Sequence, residues 1–264
     1  MGRGLRVFRQ TLEIRELKMY KEHSVFKKPE NENAKIWRYM DFTKFVSLVD
    51  KSALFFPRAD RLDDPFEGSF PEATVKLRPE LYKDKIPTNA IPFLSSFKKN
   101  IVKFTAINSW HLSEYESAAM WKIYLKSNEG IAIQSTFGLL KSSLKDENHD
   151  IFIGKVQYID FKKDLISERR LTPFVHKRKS FEHEQELRAV IQELRTKKSG
   201  EIDFSKPLFD DGIYIAVDLD TLIDKIHLAP TSPEWLHELV ESVTRKYGLS
   251  KEVLQSSLDD VPVY

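Results

Sequence analysis

The chain has 264 residues, of which 41% are hydrophobic and 31% charged, with a formal net charge of +2. This balance is ordinary for a globular protein with enough chain to bury a sizeable core. Cysteine is absent, which excludes disulfides, thiol catalysis and Cys-ligated zinc and fits a reducing compartment. No apolar run approaches the ~20 residues of a membrane span, and the N-terminus lacks the apolar segment of a signal peptide. We therefore predict a cytoplasmic protein without membrane contact.

The N-terminal part differs in charge from the remainder. Residues 1–34 are predicted as a basic extension that carries an amphipathic helix over 11–23, and residues 35–264 as a single domain. A second basic stretch covers 161–200. Basic patches of this kind attract phosphate-rich partners, so we expect a nucleotide ligand, with nucleic acid or protein as the acceptor. The sequence does not indicate an oligomeric state.

Strands and helices interleave irregularly along residues 35–264. Strands are predicted by apolar alternation and β-branched content over 36–40, 53–59, 104–111, 131–135, 153–158, 186–193, 213–217, 225–228 and, as an edge strand, 253–257. Helices are predicted after Asp41 as N-cap and over 117–125, 136–145, 171–181 and 234–247. Strands outnumber helices, without the strict rhythm of a doubly wound fold. The predicted class is α+β, a single domain with a mixed, mainly antiparallel sheet and surrounding helices.

The stretch "SFEHEQELRAVI", from Ser180 to Ile191, combines a run of acids with an apolar strand. As a helix it would place Glu184 four residues before Arg188, a solvated ion pair. As a strand it would point Glu184 and Glu186 to one face, two residues apart, with Arg188 beside Glu186 to keep it ionised. Val190 and Ile191 favour the strand, and Glu182 is expected to remain in solvent.

Two carboxylates on one strand face suit the cleavage of an N-glycosidic bond. That reaction develops positive charge on the ribose ring, as glycoside hydrolysis does. One carboxylate can stabilise this charge, and the second can position or deprotonate the acceptor.

Arg38 lies within the apolar segment "IWRYM". A guanidinium there needs either a carboxylate partner, such as Asp63 or Glu67, or a bound anion. The loop "LDDPFEG" has its own two interpretations: Asp63, Asp64 and Glu67 could ligate magnesium, or Pro65 and Gly68 could form a tight turn.

The segments "INSWH" and "SAAMW" concentrate aromatic residues. Ser109 and His111 alternate with Trp110 on a predicted strand, so they are candidates for a site. Trp121 fits a buried core, and His111 alone is more often structural than catalytic. No P-loop, dinucleotide-binding glycine motif or zinc-protease motif is present.

Taken in order, "WRYMD", "ALFFPRADRLDDPFEG", "SWH", "SAAMWKIYL", "GIAIQST", "GKVQYID" and "KRKSFEHEQELR" resemble a prokaryotic family of unknown function that is often found near phage-defence genes. The order of an Arg on an early strand, a Ser on a middle strand and Glu-x-Glu on a late strand also resembles the Arg-Ser-Glu pattern of ADP-ribosyltransferases. The middle strand departs from that pattern, because "NSWH" replaces Ser-Thr-Ser.

The resemblance implies NAD as substrate and a role for each matched residue. Arg38, with Tyr39, Ser109 and Trp121, would bind NAD; Glu186 would hold the ribose hydroxyl; Glu184 would steer the acceptor; and His111 would complete the catalytic group. No resident metal is expected. Two alternatives stay open: a metal-dependent nuclease or phosphodiesterase that uses Asp63, Asp64, Glu67, Glu184 and Glu186, and a binding module without catalysis. Arg38, His111 and Glu186 are expected to converge in one cleft, with "LDDPFEG" at its mouth.

Overall fold

The computed structural model describes residues 20–125, 128–199, 202–207 and 209–263. Within these ranges no helix is both long and apolar enough to cross a bilayer. The helix expected over 11–23 lies mostly outside the described residues. The described end of that stretch is not helical, since Tyr20 forms an isolated bridge to Ile151.

The elements of the described residues follow in chain order. The strands are β1 (Lys35–Asp41), β2 (Ala53–Pro57), β3 (Thr105–Leu112), β4 (Gly130–Thr136), β5 (Phe152–Lys155), β6 (Gln157–Ile159), β7 (His176–Arg178), β8 (Glu186–Gln192), β9 (Gly212–Ala216), β10 (Lys225–Leu228) and β11 (Val253–Gln255). The α-helices are α1 (Phe42–Lys51), α2 (Glu72–Lys76), α3 (Arg78–Leu81), α4 (Ile91–Ile101), α5 (Ala118–Tyr124), α6 (Phe137–Ser143), α7 (Leu219–Leu222) and α8 (Glu234–Lys246).

A seven-stranded sheet in the order β11-β10-β4-β1-β3-β8-β5 forms the centre of the molecule. Only the β10–β11 pair is parallel; every other pair is antiparallel. The α+β prediction is thus confirmed, as are the edge position of β11 and the Asp41 cap, whose carboxylate accepts from the Lys44 N–H at 2.8 Å.

One face of the sheet, the core face, carries the largest apolar cluster. Trp110, Leu187, Ala189 and Ile191 point to this side. They pack against apolar side chains of helices α1, α6 and α8 and of the small β2–β9 sheet. This contiguous core supplies most of the apolar burial that stabilises the fold.

The opposite face, the open face, is covered at two places. At one end Ile107 and Val190 pack under Phe174 and Val175. At the other end helix α5 lays Trp121 over the neighbouring strands. Polar side chains of β3 and β8 lie between these two covered regions. They form a polar strip on a sheet that is otherwise buried.

Residues 171–181, predicted as one basic helix, do not form a continuous α-helix. Two 3₁₀ segments, Thr172–Val175 and Lys179–Glu184, flank the short strand β7. Residues 171–175 are all buried, which leaves no exposed side for a solvated helix. The strand predicted over 153–158 is divided at Val156, whose N–H donates to the Glu186 carbonyl, so that β6 leaves the main sheet to pair with β7.

The β2–β9 sheet supplies a direct test of the core. Phe56 has no exposed surface, whereas its neighbour Phe55 is half-buried against Tyr214. We expect Phe56→Ala to lower the free energy of unfolding by ~3–5 kcal/mol, because it removes buried contacts and leaves a cavity. Phe55→Ala is the matched control and should cost clearly less in urea denaturation; equal losses would contradict this packing.

Candidate functional site

Arg188 forms the centre of a buried charge network on the open face. Its side chain is 1% exposed, and its Nη1 and Nη2 donate to the two carboxylate oxygens of Glu67 at 2.7 and 2.9 Å. Its Nε also donates to Glu186 Oε2 at 2.7 Å, and its Nη1 to the Phe174 carbonyl at 3.0 Å. The guanidinium therefore joins the "LDDPFEG" loop to strand β8.

Glu184 and Glu186 meet by a different route from the one predicted. Glu184 ends a 3₁₀ helix, and Gln185 takes a left-handed conformation with φ of 42° before β8 begins at Glu186. The two residues are thus not on one strand, but Lys177 joins them: its Nζ lies 2.6 Å from Glu184 Oε2 and 2.9 Å from Glu186 Oε1. Glu182 is exposed, as expected.

The two carboxyl groups have opposite ionisation preferences. Burial and the hydrogen bond to Glu186 raise the pKa of Glu184 to about 7. Burial alone would raise the pKa of Glu186 as well, but the Arg188 guanidinium and the Lys177 ammonium outweigh it and hold this pKa well below its usual range. At neutral pH the site therefore combines a permanent carboxylate with a carboxyl group that exchanges a proton.

His111 lies directly opposite Glu186 in the β3–β8 register, so the two share the open face. Its Nδ1 donates to the Glu184 carbonyl at 2.7 Å, because a carbonyl oxygen can only accept. Burial lowers the pKa of His111, so the ring is neutral at neutral pH and its Nε2 carries no proton. In this state His111 offers an acceptor and not a charge.

Arg38 does not share the face of His111 and Glu186, and that part of the convergence prediction is wrong. Trp37 is the register partner of His111, so the next residue alternates to the core face, where Arg38 lies 5.9 Å from the Trp110 ring. Strands β1 and β3 are paired at only two positions, whereas β1 pairs with β4 along its whole length. The Arg38 Nη1 reaches the Ser109 carbonyl at 2.7 Å, at the place where β1 and β3 are unpaired.

Arg38 has no carboxylate partner among the described residues; neither Asp63 nor Glu67 pairs with it. Burial lowers its pKa to about 10, which still leaves the guanidinium charged at neutral pH. Even so, part of its surface contacts solvent. A charged side chain that is mostly enclosed but keeps some solvent contact can pair with an anion that arrives from solvent.

The pKa of Tyr124 depends on both Arg38 and the carboxyl pair. Burial raises this pKa, the charges of Glu186 and Glu184 raise it further, and the charge of Arg38 lowers it. Its side chain is nevertheless 43% exposed. We use the name candidate cleft for Ser109, His111 and Glu186 of the open face, for Glu184 and Tyr124, and for Arg38, whose guanidinium reaches the Ser109 carbonyl from the core face. Its solvent-accessible members are Arg38, Ser109, Tyr124 and Glu184.

Tyr39 and Trp121, both predicted to bind NAD, form a wall behind this cleft. Tyr39 lies edge-on to His111 at 6.3 Å and to Trp121 at 4.9 Å, and its hydroxyl accepts from the Ser117 N–H. Both side chains are almost fully buried, Trp121 at 2% exposure. Their direct role in the described structure is to hold His111 and helix α5 in place.

The "LDDPFEG" loop joins the charge network through Glu67, which pairs with Arg188. Asp64 accepts from the Phe66 N–H at 3.0 Å and from Arg178 at 2.7 Å, and Gly68 has a φ of 68° that favours glycine. The turn interpretation, with an aspartate held by a backbone N–H, is thereby confirmed. No group of three or more histidine or acidic residues is arranged for a metal in the described chain, and Asp64 and Glu67 are already engaged by arginines.

Sequence reasoning found Glu186, its partner Arg188 and the basic stretch upstream, but missed three contributors. Tyr124 lies within the helix predicted over 117–125, and its sequence context does not mark it as a site residue. Tyr158, whose hydroxyl accepts from the Glu186 N–H at 2.8 Å, looked like a strand residue. The bidentate grip of Glu67 on Arg188 spans more than a hundred residues of chain and leaves no local signal.

No family model and no curated protein matches this chain. Among solved structures, a chain described as Thermus sp. 2.9 DarT in complex with carba-NAD+ superposes with a TM-score of 0.36 and 7% sequence identity, covering 86% of this chain and 97% of that chain. The geometry of the candidate cleft, and not this likeness, supports the function proposed below.

The Arg188 network predicts a large cost for removing one acid. Glu67→Ala would leave Arg188 with a single carboxylate in a dry environment, so we expect a loss of ~3–5 kcal/mol in unfolding free energy. The exposed neighbour Asp63 provides the control, because Asp63→Ala should stay within about 0.5 kcal/mol of wild type. Chemical denaturation that finds the two variants alike would refute the structural role of the pair.

Glu184 predicts a pH dependence of stability with a defined sign. Its pKa rises from 4.5 to about 7 on folding, so the native state favours the protonated form. Its contribution is therefore complete below pH 4.5 and is lost as pH rises through about 7. As pH rises over that range, we expect the Tm of wild type to fall relative to the Tm of Glu184→Gln. A difference that does not change with pH would show that Glu184 has an ordinary pKa.

Proposed function

We propose that this protein is an ADP-ribosyltransferase-like enzyme that cleaves the bond between nicotinamide and ribose in NAD. The observation that carries the proposal is the candidate cleft itself. It combines a permanently ionised Glu186, a Glu184 that titrates near neutrality and a surrounded Arg38 with no acidic partner among the described residues.

Arg38 is the group that would bind the pyrophosphate of NAD. A guanidinium recognises phosphate through charge-assisted hydrogen bonds, and one arm of Arg38 is already fixed on the Ser109 carbonyl. The ligand would supply the negative charge that Arg38 does not receive from the described protein. The exposed surface of Ser109 and Tyr124 would contact the ribose and the ring systems.

Glu186 would stabilise the transition state. When the C1′–N bond breaks, its electron pair leaves with nicotinamide as a neutral molecule, and positive charge develops on the ribose. A carboxylate that two cations keep ionised is prepared for this charge before the reaction starts. Arg188 and Lys177 thus act as positioning residues, because they hold the charge and the orientation of Glu186.

Glu184 would act as the general base. The acceptor attacks C1′ of the ribose and gives up a proton, which Glu184 can take because its pKa lies near neutral pH. Neutral His111 would hold the backbone of Glu184 through Nδ1 and present Nε2 to the site. The acceptor can be water, which gives hydrolysis, or a nucleophile on a nucleic acid or protein. A role as a toxin or phage-defence effector would follow from depletion of NAD or modification of such an acceptor.

The central test is nicotinamide release from NAD by purified protein, measured by chromatography. Glu186→Gln should lower the rate by at least ~10²-fold, on the scale of losing one electrostatic contact to the transition state. Glu182→Gln, an exposed change of the same kind four residues earlier, should leave the rate unchanged. Full activity in folded Glu186→Gln would refute the catalytic assignment.

Substitution of Arg38 is expected to affect the binding of NAD and not the folding of the protein. Arg38→Gln should weaken NAD affinity by about tenfold or more, the usual effect of losing a charge-assisted hydrogen bond. The control is Lys122→Gln, which removes the same charge from an exposed position on helix α5. NAD-induced shifts in Tm report the affinity of each. Stabilisation of wild type by magnesium or manganese instead of NAD would favour the nuclease alternative, and stabilisation by neither would favour a binding module.

A further inference from the structure

A cavity of about 540 Å³ is lined in part by the "LDDPFEG" loop. Its volume is within the range of small-molecule sites. Arg38, His111, Glu184 and Glu186 do not line it. Its cationic lining consists of Arg78, Lys98, Lys99 and Lys103.

The acids that line the same cavity do not neutralise these cations. Asp60, Asp64 and Glu67 are each bound by an arginine outside the lining. The pairs are Arg58 with Asp60, Arg178 with Asp64 and Arg188 with Glu67. The negative charges of these three acids are therefore already paired with arginines that do not line the cavity.

The cationic side has a surplus of charge. Arg78 is 3% exposed, and its Nε donates to Glu168 at 3.0 Å while its Nη1 donates to Ser95 Oγ at 2.9 Å. Lys98 contacts the same Glu168, so a buried and a partly buried cation share one carboxylate. Lys99 and Lys103 are exposed and have no acidic partner within the described ranges. A buried excess of positive charge is costly unless an anion offsets it.

The remaining lining supplies a surface for more than an inorganic ion. The Phe70 ring lies under Lys98 at 4.1 Å and under Arg78 at 5.3 Å. Leu62, Val75 and Val102 add apolar wall. Several cationic donors and an apolar surface in the same cavity match a phosphate attached to a flat heterocycle.

We propose that this cavity binds the phosphate group of a nucleotide. Arg78 and Lys98 form its base, and the exposed Lys99 and Lys103 form its rim. The site is separate from the candidate cleft and does not depend on the proposed reaction there. Glu67 lines the cavity and also pairs with Arg188, which in turn pairs with Glu186.

The test uses AMP as the probe and calorimetry on the full-length chain. Wild type should bind AMP saturably. The double variant Lys99→Ala/Lys103→Ala should bind at least about tenfold more weakly, since it removes two charges next to the phosphate. Val75→Trp should weaken binding to a similar extent, because it fills the space without changing the charge.

One control separates this site from bulk charge. Arg245→Ala/Lys246→Ala removes two exposed cations from the end of helix α8 and should bind AMP as wild type does. Absence of saturable binding, or equal weakening in both double variants, would overturn the proposal.

A second probe identifies the source of the phosphate. A single-stranded tetranucleotide without terminal phosphate is tested for competition with AMP. Competition that depends on Lys99 and Lys103 supports the proposal and assigns the site to a nucleic-acid strand. Binding of AMP alone, with the same dependence on the lysines, supports it and assigns the site to a free nucleotide.

Discussion

The buried guanidinium of Arg188 is the constraint on which the site depends. It is clamped by Glu67 from the loop and by Glu186 from its own strand, and it is essentially inaccessible to water. An ion buried in this way stabilises the fold only when all its partners are present, so the contact fixes a specific arrangement more than it adds net stability. Loop, strand β8 and the carboxylate of Glu186 are thereby set in one geometry.

This arrangement also gives the two glutamates different pKa values. Glu186 has two cations and remains charged, while Glu184 shares one of them and lies beside another carboxyl group. Two neighbouring acids whose pKa values are driven apart are the usual basis for one fixed charge and one mobile proton. The left-handed Gln185 makes the arrangement possible, because it turns Glu184 back over the start of the strand.

The sequence predicted elements whose signal is local and missed contacts that depend on the fold. The strand at 186–192 follows from Val190 and Ile191, and the Asp41 cap from its position before an apolar repeat. The helix predicted over 171–181 is wrong because its composition suggested a solvated surface. Phe174 and Val175 are instead buried against the open face, and Lys177 and Arg178 pair with Glu184, Glu186 and Asp64.

Arg38 shows the same limit at the site. Strand alternation alone would place it away from His111 and Glu186, and the register confirms that it does. What connects it to the cleft is the short pairing of β1 with β3, which leaves the Ser109 carbonyl for the guanidinium. No periodicity in the sequence reports where two strands stop pairing.

A crystal structure of the Glu186→Gln variant with NAD would show directly whether the candidate cleft binds this substrate. We expect electron density for NAD in the candidate cleft, with the pyrophosphate at Arg38 and the ribose hydroxyls within hydrogen-bond distance of residue 186. Density for NAD only in the basic cavity lined by Lys99 and Lys103, or an empty cleft at saturating NAD, would contradict the proposed function.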